Sequence, residues 1–354
     1  MPPRLPVWLP YLKTVNESPG GVIHFEYKGG EEKLKLADIS CIMIYGETDM
    51  NFKLPVFEKI TRAGIPIIYA RRNIANPMVI HGALRHDSSD TITAQILARE
   101  NEKKKVHIAR QLLTTKMESM KYLVPVMELP THTDVSTLRT IEAVHAKKYW
   151  EQYYERIGHP EWSRRGVETG KNPASSALDA GSRFISGIVL RWILYHHLSP
   201  SHGFFHVPTD YQSLVYDLME PYRGIFEFEM MRVFVKYPAH KEKWIPLAIN
   251  ALKDKYNSRC YVPLTRQIVT YHELLHGSVL SLKAYLMGNQ RKFHIPLPGE
   301  PRGGRPPKVA FKLYGRQAGK SNFWNEAYEV NAKVQERKSW FIDADKGKGN
   351  VDTL

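Results

Sequence analysis

The stretch from His206 to Glu220 places one imidazole ahead of two carboxylates, Asp217 and Glu220, that stand three positions apart. That combination is metal-site chemistry, because neutral imidazole and ionised carboxylate are the common side-chain ligands of divalent cations. Thr209 followed by Gln212 reads as a capping box opening a short helix. On that helix Asp217 and Glu220 share a face, while Leu214, Val215 and Leu218 remain to pack. The same pattern also describes an amphipathic helix whose acids are solvated and whose histidine is incidental. Pro221 biases Glu220 away from helical angles, so the second carboxylate is expected at a kink.

The string Ser213-Leu-Val-Tyr-Asp-Leu-Met-Glu-Pro-Tyr-Arg223, with His206 shortly before it, resembles the signature of the CRISPR-associated integrase, the Cas-one family of the adaptation module. Two further blocks fall in matching order. Thr140-Ile-Glu142-Ala-Val-His-Ala-Lys-Lys-Tyr-Trp150 looks like the family's catalytic-glutamate helix, and Asn172-Pro-Ala-Ser-Ser-Ala-Leu-Asp179-Ala-Gly looks like the segment between the two. The resemblance runs from about residue 20 to about 297 in layout and is specific between Ile141 and Arg223. Asp179 stands where many members carry Asn, and the His197 to Gly203 run replaces a usual Gly-Leu-Asp-Pro pattern. Neither departure removes a ligand.

The resemblance implies a metal-dependent DNA integrase and endonuclease that inserts captured DNA fragments as new spacers into CRISPR arrays. The implied metal ligands are Glu142, His206 and Glu220, with Asp217 adjacent as a further catalytic carboxylate. Hard carboxylates suit Mg2+ or Mn2+, and the imidazole tilts the choice toward Mn2+. The implied partners are double-stranded and branched DNA, a second copy of the chain in a homodimer, and a small companion protein, Cas-two, that bridges dimers into a heterohexamer. A catalytically idle DNA-binding scaffold of the same fold is the alternative.

A competing motif is His272-Glu273-Leu-Leu-His276, which satisfies the zinc-peptidase pattern of two imidazoles one helical turn apart with a glutamate to activate water. Its third ligand is missing. Between Gly277 and Gly299 there is no acid and no histidine but His294, and Val279 stands where the longer motif needs glycine. Both histidines are therefore expected on a core helix. His196 and His197, ending an apolar helix, are expected to cap its carbonyls. His145, one turn from Glu142, is either packed or near the site; Arg223 is expected to hold a carboxylate or a phosphate, and Tyr149 to pack behind the metal.

These residues need two kinds of scaffold, and an α+β chain of two domains is expected. Residues 1–90 read as a β-rich domain, with strands at Val22 to Tyr27, Leu36 to Tyr45 and Ile65 to Tyr69, and one helix over Leu54 to Arg62, and the resemblance implies that this domain mediates dimerisation. Residues 91–297 read as an all-helical catalytic domain. Ala94 to Tyr122 contains neither Gly nor Pro, and Val135 to Arg156 follows an Asp134 cap. Gly158 to Pro173 reads as a loop, Ser176 to Tyr195 as a buried helix, and Phe226 to Val235, Glu242 to Tyr256 and Thr265 to Met287 as further helices. Residues 298–354 form a basic extension. Between Pro301 and Asn325 it holds Arg302, Arg305, Lys308, Lys312, Arg316 and Lys320 with no acid, which fits either a DNA-contacting arm or a solvated tail.

Composition points the same way less sharply. Lys and Arg number 50 against 36 acids, a net charge of +14 over 354 residues, which favours a polyanionic partner. Only Cys41 and Cys260 are present, so neither a disulfide framework nor a cysteine zinc site is supported. The proline-broken start and the lack of any run approaching roughly 20 apolar residues lead to the expectation of a soluble, cytoplasmic chain without a membrane span. No Gly-rich phosphate loop supports nucleotide hydrolysis.

Overall fold

The computed structural model describes residues 4–48, 53–71, 77–82, 90–131, 133–164, 172–300 and 308–309. The strand-rich part builds two sheets. One is a four-stranded sheet in the order β1 (Leu5–Pro10), β5 (Ile39–Tyr45), β6 (Ile67–Ala70), β7 (Met78–Ile80). Its first three strands run parallel and β7 is antiparallel. The other is an antiparallel meander of β2 (Leu12–Ser18), β3 (Val22–Tyr27) and β4 (Gly30–Lys35). The helix α1 (Leu54–Arg62) lies between β5 and β6 in the chain and buries Val56, Phe57 and Ile60, as its spacing predicts.

Strand β5 is buried along its whole length, so its two faces serve two cores. Ile42 and Ile44 join a small core with Val7, Leu9, Phe25, Phe57 and Ile60. Cys41, Met43 and Tyr45, with Trp8 and Ile68, join the large core of the helical part. The strand-rich and helical parts therefore share one continuous apolar interior.

The helical part begins with α2 (Asp90–Glu100) and α3 (Glu102–Met120), broken at the Asn101 cap, and continues with α4 (Val135–Arg156). The Asp134 side chain accepts from the Thr137 amide at 2.7 Å, forming the expected cap. Helix α5 (Pro173–Tyr195) starts at Asn172, whose side chain accepts from the Ser175 amide at 2.7 Å, with Pro173 in the first turn. It is buried almost all round and is the hub, packing on β5, α6 (Ser213–Met219), α7 (Arg223–Lys236), α8 (Trp244–Asn257) and α9 (Tyr271–Leu286).

Four local expectations are corrected. The capping box at Thr209 does not form: α6 begins at Ser213, with Gln212 at its cap position making no side-chain cap bond. Thr265 to Thr270 is not helix, because β8 (Arg259–Val262) and β9 (Gln267–Thr270) make a hairpin ahead of α9. Strands β1, β2, β4 and β7 add to those read from the sequence. The expected bias of Pro221 does not hold at Glu220, which keeps helical angles of φ −52° and ψ −41°; Glu220–Tyr222 instead form a short 3-10 turn that joins α6 to α7. Of the basic extension, residues 298–300 and β10 (Lys308–Val309), paired in parallel with β9, are described; the other cations of that arm lie outside the described residues. Among the described residues no helix is long and apolar enough to cross a membrane.

Candidate active site

The site forms where α3, α4, the 3-10 turn and the loop before α6 meet. Gly224, at the start of α7, touches the backbone at Ser119 and Met120 of α3 so closely that a Cβ would have no room. That contact brings Glu220 and Arg223 up to Lys116. The Lys116 ammonium lies 2.5 Å from Glu142 Oε1, contributed by α4, and also pairs with Glu220 Oε2. The second contact is an ion pair rather than a well-directed hydrogen bond. Glu220 Oε1 accepts from Arg223 Nη1 at 2.6 Å, and Arg223 Nε donates to Glu227 Oε1 at 2.9 Å.

Burial would push the Glu220 carboxyl up, but the charges of Lys116, Arg223 and His206 prevail and hold it well below the usual carboxylate range. For Arg223, burial opposes the charge, yet Glu220 and Glu227 outweigh it and raise its pKa. Glu220 is thus an obligate anion in a buried charge network.

Asp217 is fully buried, and both its oxygens are engaged. Oδ2 accepts from the Phe204 and Phe205 amides at 2.5 and 3.0 Å; Oδ1 accepts from the His206 amide at 2.9 Å and from His206 Nδ1 at 2.8 Å. The loop can wrap the carboxylate this tightly because position 203 is glycine: a Cβ there would strike Asp217 Oδ2 and the His206 carbonyl. The Gly203 amide in turn donates to Ser213 Oγ at 2.9 Å. Burial lowers the His206 pKa, but the hydrogen bond and charge of Asp217, helped by Glu220 and opposed by Lys116, raise it overall. With Nδ1 donating to Asp217, the neutral ring carries its lone pair on Nε2.

The four expected residues thus divide into two pairs. Glu142 and Glu220 converge on one cation, while Asp217 is consumed in holding the loop and the imidazole. Among the described residues no three His, Cys, Asp or Glu side chains converge closely enough to hold a metal ion as they stand. The donor chemistry nonetheless fits a divalent ion: two carboxylates from different elements already meet at one buried positive charge, beside an imidazole oriented by a carboxylate. Arg223 holds a carboxylate, as expected. Tyr149 is fully buried, with its hydroxyl 2.7 Å from that of Tyr122 and its ring against Trp150 and Tyr153. His145 is buried, and burial together with the Lys116 charge lowers its pKa.

Lys116 is the residue the sequence reading does not single out. Its signal is present all the same: it sits four positions after Leu112 and four before Met120, in the buried stripe of α3. A cation in such a stripe demands a buried carboxylate partner.

The HExxH histidines stand apart, in the core. His272 and His276 stack on Trp192, and His276 Nε2 lies 2.8 Å from His196 Nε2. The His196 ring is thus turned to His276, although its backbone occupies the expected C-cap position of α5. Burial, reinforced by nearby cations, holds both His196 and His272 down to about 3. Buried imidazoles stacked on an indole do not present a water-activating zinc site.

The fold is that of a recognised family. The family model described as CRISPR associated protein Cas1 matches residues 14–128 and 121–241. The chain belongs to that family. Among solved structures it is similar to a casposase bound to integration product (TM-score 0.67, 17% identity, covering 82% of this chain and 92% of that one). It is also similar to the TtCas1 of a TtCas1–DNA complex (TM-score 0.60, 17% identity, 78% and 91%). A third likeness is to a chain of a Cas6-RT-Cas1–Cas2 complex (TM-score 0.65, 14% identity, 83% and 36%). At these identities the likeness is one of fold. No curated protein matches the chain in sequence.

Proposed function

We propose that this protein is a metal-dependent DNA integrase and endonuclease that inserts captured DNA fragments as new spacers into CRISPR arrays. The observation that carries the reading is the convergence of Glu142 and Glu220 on a single buried cation position beside an imidazole held by Asp217. Membership of the Cas1 family supports the integrase and nuclease role, and the named complexes with DNA and Cas2 support those two partners here. A homodimer and a heterohexamer with the companion protein belong to the same proposal.

In this reading Glu142, Glu220 and His206 hold Mg2+ or Mn2+. When bound, the ion supplies charge neutralisation at the phosphorus and at the departing oxygen. A DNA 3′-hydroxyl forms the new P–O bond, the original P–O bond breaks, and the displaced strand leaves as a 3′-hydroxyl with net transfer of one proton. Asp217 keeps the His206 proton on Nδ1 and so fixes which nitrogen faces outward; it is a positioning residue. Arg223 fixes Glu220 through Oε1 and leaves Oε2 to the shared cation position.

The test is strand joining on a branched, half-integrated DNA with Mn2+, comparing the natural chain with His206→Ala. Joining that requires both Mn2+ and His206 supports the proposal. Joining that survives His206→Ala refutes the site. DNA binding with no joining in either chain, the companion protein being present, favours the scaffold.

A further inference from the structure

We propose that Lys116 is a built-in stand-in for the metal: its ammonium occupies the cation position between Glu142 and Glu220 and must leave it before a divalent ion can bind. This deepens the metal-dependent reading above and rests on it.

Three observations converge. The Lys116 side chain is only 4% exposed, yet it ends on both carboxylates that would hold the ion. Those carboxylates come from α4 and from the 3-10 turn, separate elements that would repel one another without a cation between them. Arg223 does not do this work, because it is committed to Glu220 Oε1 and to Glu227. An ammonium seated between the two carboxylates repels a divalent ion arriving at the same oxygens. The lysine stem is flexible and carries a compact charge, so the seat can be vacated without moving a helix. Lys116 therefore keeps the metal-free site assembled and lowers its apparent metal affinity by the fraction of time it is seated.

The experiment measures Mn2+ binding to the full chain without DNA, following the free Mn2+ signal by electron paramagnetic resonance. Natural protein, Lys116→Met and Lys116→Arg are compared, with thermal unfolding of each measured with and without Mn2+. Lys116→Met keeps the apolar stem and removes the charge. It should bind Mn2+ on the order of tenfold more tightly, as expected when a competing state is removed. Lys116→Arg should bind no more tightly than the natural chain. Lys116→Met should also melt lower without metal and gain more from Mn2+ than the natural chain does. Adding Glu142→Gln to Lys116→Met should abolish the gain, which locates the ion. Equal or weaker binding by Lys116→Met overturns the inference and leaves the metal reading standing, with Lys116 then a group that orients the ligands. A Lys116→Met chain that is unfolded and not restored by Mn2+ also overturns it. Absence of Mn2+ binding in every variant overturns both readings.

Discussion

Asp217→Asn isolates the positioning of His206, and its cost follows from the structure. The carboxylate accepts four hydrogen bonds, two at each oxygen, all from nitrogen donors. An amide has one acceptor oxygen and one NH2 group. If the oxygen faces Phe204 and Phe205, the NH2 meets the His206 amide and forces Nδ1 to accept, moving the ring proton to Nε2. If the oxygen faces His206, the NH2 meets the Phe204 and Phe205 amides, and two buried donors are stranded. The first orientation strands one donor and reverses one bond, and the second strands two donors; at about 1.5–3 kcal/mol for each bond lost to a charged group, the cost is about 1.5–6 kcal/mol. Denaturant unfolding should show that loss, nitrogen NMR of His206 should report the changed tautomer or a lowered pKa, and strand joining should collapse. Asp217→Asn that costs less than about 1 kcal/mol and still joins DNA would refute the argument.

Other expectations concern charge and burial. Glu220→Ala should abolish joining and also cost about 3–5 kcal/mol, because it leaves Lys116 and Arg223 buried beside a missing carboxylate. Glu142→Ala should abolish joining with a smaller loss of stability in urea titrations, since its side chain is 25% exposed. Folding should weaken in acid. His196 and His272 take a proton at about 3 when folded and near 6.5 when unfolded, so the unfolded state binds more protons between those values and stability falls with pH across that window. Each contributes a loss of about 2 kcal/mol at pH 5, and His272→Phe should flatten the slope by about that amount when unfolding at pH 7 and pH 5 is compared. The same His272→Phe chain should join DNA normally per folded molecule and hold no stoichiometric zinc by metal analysis, whereas loss of joining in the folded variant would place His272 in the chemistry.

Local signals were legible where one element decides them. Asp134 before α4 and Leu54 to Arg62 as α1 follow from caps and periodicity alone. The placement of Glu142 beside Glu220 was legible only through the family motif, because no spacing rule joins residues on two different elements. What stayed hidden depended on tertiary partners. The helix starts at Ser213 with Gln212, not Thr209, at its cap position, and the Ser213 hydroxyl is tied to the loop through the Gly203 amide and the Ser201 carbonyl. Strand β1 contains Pro6 and Pro10, which mask its strand character and are tolerated because it lies at the sheet edge. The β8–β9 hairpin is too short for its alternation to stand out beside a strongly apolar helix. Lys116 looked like one more charge in a charged helix until its partners were in view.

The apolar interior shared by β5 and α5 limits how the chain can be divided. Severing it near residue 90 would bare Cys41, Met43 and Tyr45 on one piece and the facing side of α5 on the other. Both fragments would carry a sticky wound where each now has a neighbour. A fusion, a truncation or a recombination event that exchanges the strands must therefore bring a matching face for the helices. The transplantable unit is the whole of residues 5–286, and the helices bearing the carboxylates are not a module that travels alone.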